Sequence, residues 1–406
     1  MLGTLCLTLT TAYANPNAEG RKAKPAAPAV AATARAPQDG VAEARLIKIY
    51  RQIGQGDTRG ALRQAELLVN DFPTFALAQL VYGDLLSART RQIKSFGDVP
   101  PAQLKAADAA LTELKDESML RLKALRERPP AGNIPAEFLQ LSPRNKHAIA
   151  IDASRARLYL FENRATGLAL VADYYISVGK LGIEKKTEGD QRTPLGVYFI
   201  TSTLDPKTLK NFYGSGALPI NYPNVLDLKR GKTGGGIWLH GTPPGQFSRA
   251  PLASDGCVVL ANPDLTRLVN TVEIRSTPVL ISHKLTWVPP QSQQPRTQEF
   301  RASLNAWLKA KSAGDMAQLT TFYAKDFNNS GKTLADWVPV LRREVSATRG
   351  RELEIKDLSL LHWVDTHETM VVTFGEVATG QRTGLTKRQY WARQGKQWQI
   401  FYEGGV

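Results

Sequence analysis

The residues best suited to covalent chemistry are one histidine and one cysteine, 17 positions apart. His240 ends an apolar run, Ile237–Leu239, and Cys257 closes the segment Ser-Asp-Gly-Cys. The other cysteine, Cys6, lies in a segment predicted to be removed, which leaves Cys257 without a disulfide partner. A thiolate and an imidazole are the minimum for acyl transfer through a covalent intermediate. Spacing alone leaves open a buried structural thiol beside an unrelated histidine.

Small residues surround the cysteine, as a nucleophile on a tight turn requires. Gly256 lets the backbone approach closely and present N–H groups to an oxyanion, and Ser254 can hydrogen-bond within the turn. These neighbours favour a catalytic thiol over a packed one.

Length and charge bound the class of protein. With 406 residues, 42% hydrophobic and 22% charged, the chain predicts two or three globular domains. A net charge of +15 indicates an acidic partner, either nucleic acid, anionic lipid or a polyanionic wall polymer. Lys and Arg are dispersed and no zinc-finger spacing occurs, so nucleic acid is disfavoured.

The N-terminal segment predicts export. Residues 1–14 form a short apolar run with an Ala-x-Ala end, typical of a signal peptide, and the missing basic start indicates an upstream initiation codon. No stretch approaches the ~20 apolar residues of a membrane span, so we expect a periplasmic protein that is not integral to the membrane. Residues 15–40, rich in Ala, Pro and charge, predict a flexible linker.

Three regions of different pattern follow, which together predict a multidomain fold. Residues 41–128 have helical periodicity and predict a helical region for packing or for dimerisation. In the second case the protein would be a homodimer through this region. One tetratricopeptide-like hairpin is the alternative. Residues 145–283 contain short apolar strands between Gly and Pro and predict a mostly-β domain. Residues 288–297 predict a polar linker, and residues 298–406 predict an α+β cone of helices followed by antiparallel strands.

Two groups of residues in the last region have alternative interpretations. Four tryptophans could line a pocket of the cone, although core packing is favoured for most of them: Trp307, Trp337, Trp391 and Trp398. His362 and His367 lack the spacing of a metal site and predict exposed loop residues.

Four motifs occur in a fixed order in the central region: Ile-Ser-Val-Gly-Lys at 176–180, Arg-Thr-Pro-Leu-Gly-Val-Tyr-Phe at 192–199, Gly-Ile-Trp-Leu-His-Gly at 236–241 and Ser-Asp-Gly-Cys at 254–257. Residues 145–283 thereby resemble the YkuD-type L,D-transpeptidase catalytic domain. The resemblance implies a β-rich fold acting on peptidoglycan stem peptides, without metal or cofactor. It assigns the following roles: Cys257 as nucleophile, His240 as general base and acid, the Gly241 carbonyl as the group that orients His240, the Gly256–Cys257 backbone as oxyanion hole and Ser254 as a supporting residue.

The three-part organisation is similar to that of the cell-shape L,D-carboxypeptidases, in which a helical dimerisation region precedes the YkuD domain and a nuclear-transport-factor-2-like (SnoaL-like) domain follows it. Two positions depart from the common family pattern: Asp255 stands where His is usual, and Val259 where Arg or Asn is frequent. The Asp form is similar to a subset of the family.

We therefore expect a peptidoglycan L,D-transpeptidase that acts on stem tetrapeptides through a cysteine acyl-enzyme, in cell-wall remodelling and cell shape. If water resolves the acyl-enzyme, the same site is an L,D-carboxypeptidase that trims tetrapeptide to tripeptide. A murein-binding scaffold with a decayed centre is the third hypothesis, motivated by Asp255 and Val259.

Overall fold

A computed structural model of the chain describes residues 38–98, 101–348 and 350–406. The predicted signal peptide and most of the predicted linker at 15–40 lie outside the described residues. The last residues of that linker are among the described residues, and Gln38–Asp39 form a short strand, β1. The helices that follow are α1 (Val41–Gly54), α2 (Thr58–Asp71), α3 (Ala76–Ser87) and α4 (Pro101–Arg126).

The break between α2 and α3 follows from the sequence Phe72-Pro73, because proline disfavours a helical conformation in the residue before it. Asp57 begins α2 by accepting a hydrogen bond from the Gly60 amide, which is the usual role of an N-cap aspartate. The apolar faces of these helices share one core that includes the fully buried Phe75. Among the helices in the described ranges, none has both the length and the apolarity needed to cross a membrane.

The central region is a mixed sheet wrapped around a hydrophobic core. Its strands and helices are β4 (His147–Asp152), β5 (Arg157–Arg164), β6 (Gly167–Gly179), β7 (Gly196–Phe199), β8 (Ala217–Pro219), α5 (Val225–Lys229), β9 (Trp238–His240), β10 (Leu252–Ser254), β11 (Val258–Leu260), α6 (Asn262–Val269) and β12 (Pro278–Ser282). The strand order is β7-β12-β4-β5-β6-β11-β9-β8, and β1 and β10 both pair with β6. The long strand β6 therefore connects most of the sheet.

The helical region lies directly against this sheet. A buried ion network connects the two: Arg157 of β5 pairs with Glu43 of α1 at 2.7 Å and with Asp173 of β6, and Arg121 of α4 pairs with Glu43 at 2.8 Å. Removing one member would leave a buried charge without a partner, which is strongly destabilising. The helices are thus fixed to the central sheet, and dimerisation through them stays a prediction.

The C-terminal region is a cone built from three helices and a curved sheet. Its elements are α7 (Gln294–Ala313), α8 (Met316–Thr321), β14 (Asn328–Asn329), β15 (Lys332–Thr333), α9 (Leu334–Ala347), β16 (Leu353–Val364), β17 (Glu368–Ala378), β18 (Leu385–Gln394) and β19 (Gln397–Gly405). The sheet order within the described residues is β19-β18-β17-β16-β3, where β3 is Phe138–Gln140. The predicted fold class, with N-terminal helices, a central mostly-β domain and a C-terminal α+β cone, is confirmed.

Residues 288–297, predicted as a linker, are folded. The strand β13 (Trp287–Val288) pairs with β2 (Ile134–Pro135), a 3-10 turn follows, and α7 already begins at Gln294. The side chain of Gln293 is buried and donates to the carbonyl of Ala136 at 2.7 Å. Pro295 lies in the first turn of α7, where a backbone N–H has no partner within the helix, so its absence costs no hydrogen bond. A proline-rich segment therefore fits the start of a helix as well as a linker.

Candidate active site

Two neighbouring strands bring His240 and Cys257 together. β9 and β11 run parallel, with Val258 beside Leu239 and Val259 beside His240. Strand spacing of about 4.8 Å and a rise of about 3.3 Å per residue place the Cα atoms of Cys257 and His240 roughly 8 Å apart. Val258 and Leu239 enter the apolar core, so alternation puts Cys257 and His240 on the opposite face. The register therefore places the two predicted residues on one face of neighbouring strands, and their joint action stays a prediction.

The imidazole of His240 is held in one orientation. Its Nδ1 lies 2.7 Å from the Gly241 carbonyl oxygen. A carbonyl only accepts, so Nδ1 carries the proton and the neutral ring leaves Nε2 as an acceptor. Burial lowers the pKa of His240 to about 4; the Gly241 carbonyl opposes this shift and the charge of Arg249 adds to it. The residue is a neutral base at neutral pH.

The thiol of Cys257 is half-buried and held against the strand that leads to His240. The Trp238 N–H donates to Sγ at 3.4 Å, and the thiol donates to the Gly236 carbonyl at 3.5 Å. Burial raises the pKa of Cys257 to about 11, against the effect of the Trp238 N–H and with the help of the Asp255 charge. Both pKa shifts favour the neutral forms of the thiol and the imidazole at neutral pH.

The turn that carries the thiol is clamped by Ser254. Its hydroxyl donates to the Cys257 carbonyl at 2.6 Å and accepts from the Gly256 N–H at 3.1 Å. Gly256 has φ of 122°, and a Cβ there would lie 2.8 Å from the Arg192 carbonyl oxygen, so only glycine fits. The Cys257 N–H has no acceptor in the described part of the chain. Of the two amides predicted to form an oxyanion hole, that of Cys257 is the available one.

The motifs at 176–180 and 192–199 hold this turn through hydrogen bonds. Thr193 is fully buried, accepts from the Gly179 N–H and donates to the Gly256 carbonyl, both at 2.9 Å. The Lys180 N–H donates to the Ser254 carbonyl at 2.7 Å. Residues of the motifs at 176–180 and 192–199 thus hydrogen-bond directly to the backbone of the turn that carries Cys257.

The two departures from the family pattern, Asp255 and Val259, occupy different environments. Asp255 is exposed; its carboxylate pairs with Lys180 at 2.9 Å and accepts from Gln191 at 3.3 Å. Val259 is buried on β11 beside His240. Neither residue displaces the histidine or the thiol, so the motif changes leave the pair assembled.

Sequence reasoning missed the aromatic wall of the site. The Tyr213 ring meets the His240 ring edge-on with centroids 5.1 Å apart, and the Phe212 ring lies 5.8 Å from His240. Arg249 is 8% exposed, and its guanidinium carbon lies 4.5 Å above Phe212. Asn262 supports the loop after His240 by donating to the Thr242 carbonyl at 2.8 Å. Phe212 and Tyr213 share one 3-10 turn, whereas Arg249 lies on a loop and Asn262 begins α6. No spacing signal in the sequence links these three segments.

The remaining predicted candidates are structural. The four tryptophans that the sequence offers as pocket candidates are buried in the core of the cone: Trp307, Trp337, Trp391 and Trp398. The prediction of exposed loop residues is wrong for His362, which is a buried residue of β16 bonded to Glu368 at 2.9 Å, whereas His367 is exposed. The described residues contain no cluster of His, Cys, Asp and Glu able to hold a metal ion.

A thiol on a clamped turn, beside an imidazole oriented by a carbonyl, defines a cysteine-type acyl-transfer site. Residues 146–281 match the family model of the L,D-transpeptidase catalytic domain, YkuD, and residues 299–404 match that of the Cds6 C-terminal NTF2-like domain. The chain therefore carries a YkuD catalytic domain, of a family of cysteine-type peptidoglycan-modifying enzymes, followed by an NTF2-like domain. The predicted resemblances to the YkuD catalytic domain and to a nuclear-transport-factor-2-like domain are confirmed.

Solved structures share this architecture. Bd1075 from Bdellovibrio bacteriovorus superposes with a TM-score of 0.57 at 24% identity, over 68% of this chain and 98% of its own. Pgp2 from Campylobacter jejuni, described as a helical cell shape determining protein, superposes with a TM-score of 0.52 at 20% identity, over 71% and 99%. No curated protein sequence matches the chain. At these identities the structures establish the common fold.

Proposed function

We propose that this protein is an exported peptidoglycan enzyme that cleaves the L,D peptide bond after the third residue of a stem tetrapeptide. The observation that carries the proposal is the pairing of Cys257, on its clamped turn, with a His240 ring held by the Gly241 carbonyl at 2.7 Å. The YkuD match supports peptidoglycan as the substrate class.

The first half of the reaction forms a thioester. Cys257 Sγ attacks the carbonyl carbon of the third residue while its proton passes to Nε2 of His240. The oxyanion faces the Cys257 N–H, which has no acceptor in the described residues. The C–N bond then breaks, and the imidazolium returns the proton to the amine of the leaving D-residue.

The pKa values define when the proton moves. With the pKa of the thiol raised to about 11 and that of the imidazole lowered to about 4, the resting pair is neutral. Proton transfer must therefore accompany attack on the substrate rather than precede it. A neutral resting thiol also protects a periplasmic cysteine, because the thiolate is the form that oxidises.

We propose water as the second reactant, which makes the enzyme an L,D-carboxypeptidase with a role in cell shape. His240 removes a proton from water, hydroxide attacks the thioester, and tripeptide and thiol are released. The three-part organisation supports this outcome, since it resembles that of the cell-shape L,D-carboxypeptidases. The role in cell shape is supported by Pgp2, described as a helical cell shape determining protein, which shares the fold over 99% of its own length. The L,D-transpeptidase is the alternative, supported by the catalytic-domain match; there an amine resolves the thioester.

The test is mass spectrometry of stem tetrapeptide incubated with wild type, Cys257→Ala and His240→Ala. The expected result is tripeptide and free D-residue from wild type alone, with one ¹⁸O in the new carboxylate when the solvent is H₂¹⁸O. An added D-amino acid that enters the product would instead establish transpeptidation. Absence of any Cys257-dependent product, with retained binding to isolated sacculi, would establish the scaffold hypothesis.

A further inference from the structure

The loop between β9 and β10 places a buried cation beside the reacting pair. Arg249 is 8% exposed, and its guanidinium carbon lies 4.5 Å above the Phe212 ring. That ring in turn lies 5.8 Å from the ring of His240. The charge of Arg249 acts on both His240 and Cys257. The guanidinium therefore belongs to the reaction cleft.

This guanidinium lacks an anionic partner. Across residues 38–98, 101–348 and 350–406, no carboxylate lies within ion-pair distance of it, and its side chain donates no hydrogen bond. Asp255, whose charge it senses, is already bound to Lys180 and Gln191. A cation with this little contact with water is costly unless an anion neutralises it. The missing anion is best supplied by a ligand.

Contacts of three consecutive residues anchor the backbone of the loop that carries Arg249. The Tyr175 hydroxyl donates to the Arg249 carbonyl at 2.9 Å, and Ser248 donates to Glu117 of α4 at 2.8 Å. Phe247 packs into the helical core with its N–H on the Thr74 carbonyl at 3.1 Å. Both residues before Arg249 are thus anchored on the helical region. The planar guanidinium group of an arginine on such a loop is suited to bind a carboxylate through two parallel hydrogen bonds.

We propose that Arg249 binds the C-terminal carboxylate of the leaving D-residue, so that the enzyme selects stem peptides that end one residue beyond the scissile bond. The inference rests on the function proposed above. The carboxylate of a one-residue leaving group lies within about 4 Å of the scissile carbonyl, which is the distance that one residue spans. A longer or amidated leaving group offers no carboxylate at that point.

The first test needs no catalytic turnover. Iodoacetate and iodoacetamide alkylate a thiol by the same displacement of iodide and differ only in carboxylate against amide. The ratio of their rates at Cys257 cancels any change in the thiol's pKa. We expect Arg249→Gln to lower the iodoacetate-to-iodoacetamide ratio about tenfold or more, as loss of a charge-assisted hydrogen bond implies. Lys210→Gln, which removes an exposed charge from the loop that carries Phe212, should leave the ratio unchanged.

The second test uses stem tetrapeptide and its C-terminal amide. Wild type should have the higher kcat/KM for the acid, Arg249→Gln should process both equally, and Arg249→Lys should keep part of the preference and confirm a folded protein. Equal alkylation ratios in wild type and Arg249→Gln, or an undiminished acid preference in that variant, would overturn the role of Arg249. If wild type forms no product while the ratio falls as expected, the proposed reaction fails and carboxylate binding at Arg249 stands.

Discussion

Phe247 connects the helical region to the active-site loop, and replacing it with alanine should release that loop. Its ring is 8% exposed and lies 4.4 Å from the Phe75 ring and 5.4 Å from the Phe72 ring, measured between centroids. The Phe247 N–H also donates to the Thr74 carbonyl. Two residues further along is Arg249, so the position of this cation depends on the packing of Phe247.

The expected size of the effect follows from burial. A phenylalanine side chain buries roughly 150–200 Å², which at about 25 cal/mol per Å² gives about 4–5 kcal/mol as an upper value. Measured Phe→Ala substitutions in cores cost about 3–5 kcal/mol. Because Phe247 lies at the contact between two regions, we expect the cost to appear as local opening of residues 241–251. A loss of about 3 kcal/mol increases the open population roughly a hundredfold.

Hydrogen exchange at the amide of residue 247 and proteolysis of residues 241–251 measure this opening directly. Both should accelerate in Phe247→Ala, and the iodoacetate-to-iodoacetamide ratio should fall as Arg249 loses its place. Phe247→Leu keeps most of the volume and should show a much smaller change, about 1.5 kcal/mol or less. Unchanged exchange and proteolysis in Phe247→Ala would show that the helical region does not hold the loop.

Three further predictions concern the reacting turn. Because the pKa of Cys257 is raised to about 11 and that of His240 lowered to about 4, thiol alkylation should rise about tenfold per pH unit from pH 7 to 10. A plateau below pH 8 would instead reveal a preformed ion pair. Gly256→Ala should reduce turnover about ten- to hundredfold, since φ of 122° and the contact with the Arg192 carbonyl impose strain of about 1–3 kcal/mol; turnover within twofold of wild type would refute this. Ser254→Ala removes both hydrogen bonds of the clamp and should lower the free energy of unfolding by about 1–3 kcal/mol, measured by urea denaturation, with unchanged stability as the contrary result.

The reacting pair could be predicted from sequence because its signals are local. His240 and Cys257 each lie within a short motif, and neighbouring strands of one sheet bring two such motifs together. Arg249 and Phe212 could not be predicted in this way. Their contact with each other and with His240 depends on the paths of two irregular loops, which hydrophobic periodicity does not encode.

Long-range pairing was equally invisible. Residues 138–140 are too short to predict as a strand, and their partners Leu360 and Leu361 follow more than 200 residues later. The composition of residues 288–297 predicts a solvated linker, whereas the side chain of Gln293 is buried. Its burial is tolerated because the Ala136 carbonyl accepts a hydrogen bond from the Gln293 amide group. The sequence pattern shows that a segment is polar, but it does not show which distant backbone group will accept or donate its hydrogen bonds.

The strand β3 has a consequence for how the molecule is assembled. The cone's sheet is completed by residues that precede the catalytic domain, since Phe138 lies beside Leu361 and Gln140 beside Leu360. Topologically, the catalytic domain is an insertion between the first strand of the cone and the rest of it. The cone sheet can close only after the entire catalytic domain has been synthesised, a high contact order that slows folding. The two domains should consequently unfold in one transition, and a chain cut before residue 298 would leave β3 as an unpaired edge open to aggregation.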